Sequence, residues 1–217
     1  MGKSHVIWDW NGTLLDDVHI SLLAANKVFN QLGFKELSLH EYRENYSVPV
    51  NIFYHNVMGR EPTKSEWQTI GDVFNQYYKP NVRTAYLSRG AIEALQYRNK
   101  NKSTQSVCSL MEQDELNQSI FDTQVSSYFN LVEGRTLPLL KKGKSEQLSL
   151  HIKKLNILPS RCVVVGDAAD DALSAFEVGA KAILYTGGTH CAENLAKTGA
   201  YLVDSLLGAA MLAEDIV

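Results

Sequence analysis

Two groups of carboxylates mark the chain as one that does chemistry. Asp9 closes the apolar, β-prone run at 6–8, and Asn11-Gly12, a strong turn dipeptide, follows at once. Asp167, Asp170 and Asp171 follow a second apolar run at 162–165 that ends in Gly166. A strand ending in Asp presents its carboxylate at the sheet's carboxyl edge, where open parallel sheets bind ligands. There it can attack a phosphorus centre or hold a metal ion. Carboxylates gathered at one edge repel and raise one another's pKa unless a cation neutralises them. An all-oxygen set calls for a hard dication, most simply Mg²⁺. Asp170 and Asp171 also have a plainer reading, since acidic residues favour the start of a helix.

The elements that must position these groups alternate in character along the chain. Residues 6–8, 106–110, 162–165 and 181–185 read as strands, with 131–134 and 201–203 as edge pieces. Between the first strand and the second, residues 16–80 carry only helical spacing. That stretch divides into helices at 16–32, at 38–46 behind a Ser38/Glu41 capping box, at 50–58 ending at Gly59, and at 63–79 stopped by Pro80. Further helices are expected at 89–99, 112–119, 144–156, 170–178, 191–198 and 205–214. Strands alternating with helices predict an α/β, Rossmann-like, doubly wound parallel sheet core, and the all-helical stretch predicts an inserted cap. The division is 1–15 plus 84–217 as core and 16–83 as cap, with hinges near 14–17 and 81–88.

The run Asp9-Trp10-Asn11-Gly12-Thr13 resembles the first motif of the haloacid dehalogenase superfamily, Asp-x-Asp-Gly-Thr, with one departure at Asn11. Gly166-Asp167 with Asp170 and Asp171 resembles the fourth, Gly-Asp-x-x-x-Asp. Ser109 stands where the family places its second-motif hydroxyl. Lys142 and Lys144 compete for the third-motif lysine, with Lys144 preferred. The resemblance is to capped, phosphoglycolate phosphatase-like members. It implies that Asp9 attacks phosphorus, that Ser109 and Lys144 act with it, and that Asp9, Asn11 (through its main-chain carbonyl), Asp167 and Asp171 hold Mg²⁺. It also implies phosphoryl binding by the turn at Trp10, Gly12 and Thr13, by Ser109 and Leu110, and by Lys142.

In the family the second Asp protonates the leaving group and later activates water. An amide cannot exchange a proton at neutral pH. The expectation is therefore a Mg²⁺-dependent phosphatase of a small phosphorylated metabolite, slow on poor leaving groups and faster after Asn11→Asp. A catalytically weak phosphate-ester binding protein and a phosphonate hydrolase using a cap lysine (Lys27, Lys35 or Lys64) are the alternatives. Tyr42, Tyr46, Tyr54 and His55 either line the pocket or pack the insert. Asp16 and Asp17 either contact substrate or cap the first inserted helix.

Composition narrows the partners. A net charge of −3 gives no electrostatic reason for nucleic acid or an anionic membrane as partner. No apolar run approaches the roughly 20 residues needed to span a bilayer. The opening residues lead straight into the first strand, so the expectation is a cytoplasmic protein without a signal peptide. Cys108, Cys162 and Cys191 are odd in number and far apart, which fits reduced thiols rather than disulfides or zinc. The partner that the family resemblance implies is a small phosphate ester, and oligomeric state is not legible.

Overall fold

The computed structural model describes residues 4–136 and 144–217. Six strands form one parallel sheet: β1 (His5–Trp8), β2 (Gln105–Glu112), β3 (Val132–Arg135), β4 (Cys162–Gly166), β5 (Lys181–Tyr185) and β6 (Tyr201–Val203). Their order is β3-β2-β1-β4-β5-β6. Trp8, at the end of β1, pairs with Val107 on one side and Val165 on the other. β1 and β4 are buried along their whole length, and apart from His5 their sequences run apolar rather than alternating. Strand order reverses at β1, the place where such sheets open a crevice.

Helices α5 (Ala91–Lys100), α6 (Gln113–Asp122) and α10 (Leu206–Asp215) cover one face, over a core that includes Trp8, Leu95, Leu116 and Val163. Helices α7 (Ser145–Leu155), α8 (Ala169–Glu177) and α9 (Ala192–Ala196) cover the other, over Ile7, Cys108, Leu148 and Val164. Cys108 and Cys162 are buried free thiols, and burial pushes Cys108 up to about 12.

The remaining helices, α1 (Val18–Gln31), α2 (Leu39–Asn45), α3 (Val50–Met58) and α4 (Lys64–Val82), lie between β1 and α5 and bury a core of their own. Phe29 meets Phe53 and Tyr54 there, with ring centroids 5.9 and 5.6 Å apart. Tyr42 and Tyr54 belong to this core, and His55 is paired outside it with Glu61 at 3.2 Å. The local signals act as read: Ser38 and Glu41 exchange both capping hydrogen bonds, and Gly59 ends α3 at φ 71°.

Pro80 does not stop α4, which continues to Val82. A proline this near the end removes only one main-chain bond. Asn81 Nδ2 also turns back to donate to the Tyr77 carbonyl at 2.6 Å. The chain enters and leaves the four helices side by side, with the Asp16 N–H on the Tyr86 carbonyl (2.9 Å) and the Ser88 N–H on the Leu14 carbonyl (2.8 Å). No helix among the described residues is long and apolar enough to cross a membrane.

Candidate active site

Asp9 leaves the carboxyl end of β1 with its N–H on the Val165 carbonyl (2.8 Å), which fixes it beside the end of β4. The chain then turns sharply at Gly12. Its φ of +70° suits glycine, and a Cβ there would strike the Asp167 carboxylate. Asp167 follows β4 and is almost wholly buried. Thr13 Oγ1 donates to its Oδ1 at 2.8 Å, and Thr189 donates to its Oδ2 from both the N–H (2.6 Å) and the hydroxyl.

Asp171 lies in the first turn of α8. Its Oδ2 accepts from the Ala168 N–H at 3.1 Å, while its Oδ1 accepts from Lys144 Nζ at 2.8 Å. Lys144, buried at the start of α7, also donates from Nζ to Asp9 Oδ1. Asp170 instead accepts from the Lys144 main-chain N–H at 3.1 Å.

Asp9, Asp167 and Asp171 thus bring carboxylate oxygens within 4.8 Å of one another. Burial pushes Asp9 up to about 8 against the pull of Lys144, with Asp171 and Asp167 adding to the rise. Burial and then Asp171 raise Asp167 to about 6. For Lys144, burial favours the neutral amine, but Asp171 and Asp9 together hold the ammonium above its ordinary value. Three carboxylates around one ammonium leave a deficit of positive charge in a low-dielectric place. This all-oxygen, hard donor set fits a divalent cation such as Mg²⁺.

The cluster opens on a cavity of about 370 Å³. On the sheet side Ser109 and Leu110 line it, where β2 shifts its register against β3. Bulges of this kind re-aim side chains beside functional sites. Across from them stand Tyr46, Phe74, Tyr78 and Lys79 of the helical insert. Asn11 sits between: its Nδ2 donates to Asp17 Oδ2 (3.0 Å) and to the Tyr78 hydroxyl (2.8 Å), and its Oδ1 accepts from Ser109 Oγ (3.4 Å).

The family model for haloacid dehalogenase-like hydrolases matches residues 6–185, well over half the chain. The chain belongs to this family. It is similar to a phosphoglycolate phosphatase of Pseudomonas fluorescens, 24% identical over 93% of this chain and 76% of that one. Among solved structures, a predicted phosphatase from Clostridium acetobutylicum superposes with a TM-score of 0.84 at 18% identity over 98% of both chains. A haloacid dehalogenase-like hydrolase from Streptococcus pneumoniae gives 0.82 at 17%, over 97% of this chain and 98% of that one. At such identities the structural likeness establishes the shared fold.

Set against the motifs of this hydrolase family, Asp9, Asn11, Ser109, Lys144, Asp167 and Asp171 all converge on one cavity. Lys142 lies outside the described residues. The indole of Trp10 is turned away: it is fully buried in the sheet core and donates to Ser119 Oγ at 3.0 Å, so only its main chain faces the turn. The Gly12 N–H is taken by Asp17 Oδ1 at 2.8 Å, and the Thr13 hydroxyl is spent on Asp167. Asp17 is buried and belongs to the Asn11 group.

Sequence reasoning missed Tyr78 and Thr189. Nothing marks Tyr78 among ten tyrosines. Thr189 follows Gly187-Gly188, and a Cβ on Gly188 would strike Asp167, so that doublet was a sign of close approach. None of the three lysines offered for a Schiff base, Lys27, Lys35 and Lys64, lines the cavity; the lysines that do are Lys79 and Lys144.

Proposed function

We propose that the chain is a Mg²⁺-dependent phosphatase that hydrolyses a small phosphorylated metabolite through an aspartyl-phosphate on Asp9. The observation that carries this reading is the Asp9–Asp167–Asp171 cluster with Lys144 among its carboxylates, facing a cavity sized for a small ester. The relatives named as phosphatases support it.

Lys144 engages Asp9 Oδ1, and Oδ2 is the atom we assign to attack phosphorus. As the O–P bond to Asp9 forms, the P–O bond to the leaving group breaks, and that oxygen takes a proton from water. Water then attacks the same phosphorus, inorganic phosphate leaves and the Asp9 carboxylate returns. Ser109 Oγ and Lys144 Nζ serve the phosphoryl oxygens. Asp9, Asp167, Asp171 and the Asn11 main-chain carbonyl would hold Mg²⁺, which when bound supplies the positive charge that lets the carboxylates stay ionised together.

With Asn11 unable to exchange a proton, esters with poor leaving groups lose roughly 10²–10⁴ in rate relative to an enzyme with an acid there. Residues 16–83 are assigned as the cap, and the paired connections at 14–17 and 81–88 as its hinges.

The test is p-nitrophenyl phosphate turnover with Mg²⁺ and with EDTA, alongside hydroxylamine trapping of a protein-bound acyl phosphate. Turnover and a trapped adduct are expected with Mg²⁺ and neither in Asp9→Asn. Undiminished turnover by Asp9→Asn would sink the reading.

A further inference from the structure

Asn11, Asp17 and Tyr78 form a closed polar node linked by three mutual hydrogen bonds. Asn11 Nδ2 donates toward both Asp17 Oδ2 (3.0 Å) and the Tyr78 oxygen (2.8 Å), two acceptors close enough to share one amide proton. Tyr78 gives its own proton to that same Asp17 oxygen. The Gly12 N–H occupies Asp17 Oδ1 at 2.8 Å, and Ser109 Oγ reaches Asn11 Oδ1 at 3.4 Å. Asp17 is 2% exposed, so water does not supply missing donors.

Three separate elements meet here: the turn after β1, the residue preceding α1, and the last part of α4. An ionised carboxylate at position 11 has no proton to give: it would set acceptor against acceptor at Asp17, and the single Tyr78 proton would have to serve two carboxylates. The departure from the family's motif at 11 is therefore tied to the carboxylate at 17.

We propose that Asn11 and Asp17 are a matched pair, locked by Tyr78, and that Asp17 and Tyr78 are positioning residues that hold Asn11 and pin the helical insert to the turn. Asn11→Asp alone breaks the node rather than restoring an acid. The exchanged pair Asn11→Asp/Asp17→Asn rebuilds it in mirror form. The amide then at position 17 donates to the carboxylate at position 11, and its carbonyl oxygen still accepts from the Gly12 N–H. Tyr78 gives its proton to that same carboxylate. The significance of position 11 for turnover rests on the phosphatase reading; the pairing itself does not.

The experiment is a double-mutant cycle on the full chain: parent, Asn11→Asp, Asp17→Asn and the exchanged pair, each by urea unfolding and by turnover of β-glycerophosphate with Mg²⁺. Each single substitution is expected to lower the folding equilibrium constant about tenfold, and the exchanged pair to recover most of it. The exchanged pair is also expected to exceed Asn11→Asp in turnover by about tenfold or more. Additive stabilities, or Asn11→Asp matching the exchanged pair in both readouts, overturn the pairing. If Asn11→Asp does not fold, a folded exchanged pair supports the proposal and an unfolded one overturns it. Coupled stabilities without turnover by any variant uphold the pairing and overturn the phosphatase reading.

Discussion

Two buried polar assemblies lie on either side of Cys108, and they share residue types but not chemistry. One is the Asp9–Asp167–Asp171–Lys144 cluster. The other is a chain through the sheet: His5 Nε2 to Ser106 Oγ (2.8 Å), Ser106 Oγ to His151 Nε2 (2.8 Å), and His151 Nδ1 to Glu133 Oε2 (2.7 Å). On paper, Ser106, His151 and Glu133 are a nucleophile, a base and an orienting acid. Ser106 and His151 are wholly buried, however, and among the described residues only the outer members of the chain, Glu133 and Lys154, border a cavity, one of about 150 Å³. Their partners are all protein groups, with Thr104 closing one end and Lys154 the other.

The carboxylate cluster differs in two respects. It faces open volume, and its charges do not balance. Access and unmet charge, rather than the identities of the side chains, separate a site from a polar strut.

The comparison is broken or sharpened by substitutions on each side. The largest effect belongs to Asp9→Asn, expected to cost on the order of 10⁴-fold or more in acetyl phosphate turnover, as loss of a nucleophile does elsewhere. Lys144→Met comes next, with a loss of roughly 10²–10³ in kcat. It strips the one ammonium from Asp9 and Asp171, so the Mg²⁺ concentration needed for half-maximal activity should also move.

On the other side, Ser106→Ala leaves buried His5 and His151 nitrogens without a partner. Urea unfolding should show a loss of about 1–3 kcal/mol, with turnover per folded molecule unchanged. A fall in turnover beyond the folded fraction would place that chain in the chemistry and erase the distinction.

The smallest effect is in pH. Burial, with His151 and Arg98 nearby, lowers His5 from 6.5 to about 3. Burial also lowers His151, although Glu133 opposes it, and Lys144 and Lys154 lie within its field. The unfolded chain thus binds protons below about pH 6.5 that the folded chain refuses, and stability falls with pH from there toward 3. The buried carboxylates titrate with the opposite sign. The measurement is therefore the stability difference between the parent and His5→Asn, in which they cancel. The parent should lose ground to the variant as pH drops from 7 to 5, and a flat difference would show His5 to be charged in the fold.

Much of this arrangement was legible beforehand for a local reason. Asp9 and Asp167 follow apolar strands, and the end of a parallel strand has one place to be. The Ser38/Glu41 box and Gly59 act through bonds or dihedrals within a few residues. The Pro80 reading failed on context: a proline breaks a long helix, but two residues from the end it costs one bond, which neighbouring Asn81 helps to offset.

By itself, the sequence determined the parallel α/β core and the helical stretch set into it, and it marked the motif positions while leaving Lys142 and Lys144 in competition for one of them, because strand ends, caps and turns are written in adjacent residues. Only the tertiary structure decided which neighbours serve the site. Asp170 and Asp171 are adjacent in sequence but about 100° apart around a helix, and only Asp171 turns toward Asp9. Trp10 sits beside Asp9 yet points into the core. Tyr78 arrives from a distant element with no local signal, and Thr189 from another marked only by the Gly187-Gly188 doublet before it. Periodicity specifies a face, but which groups share a cavity depends on contacts between segments far apart in the chain, and those exist only once the sheet and the helices have packed.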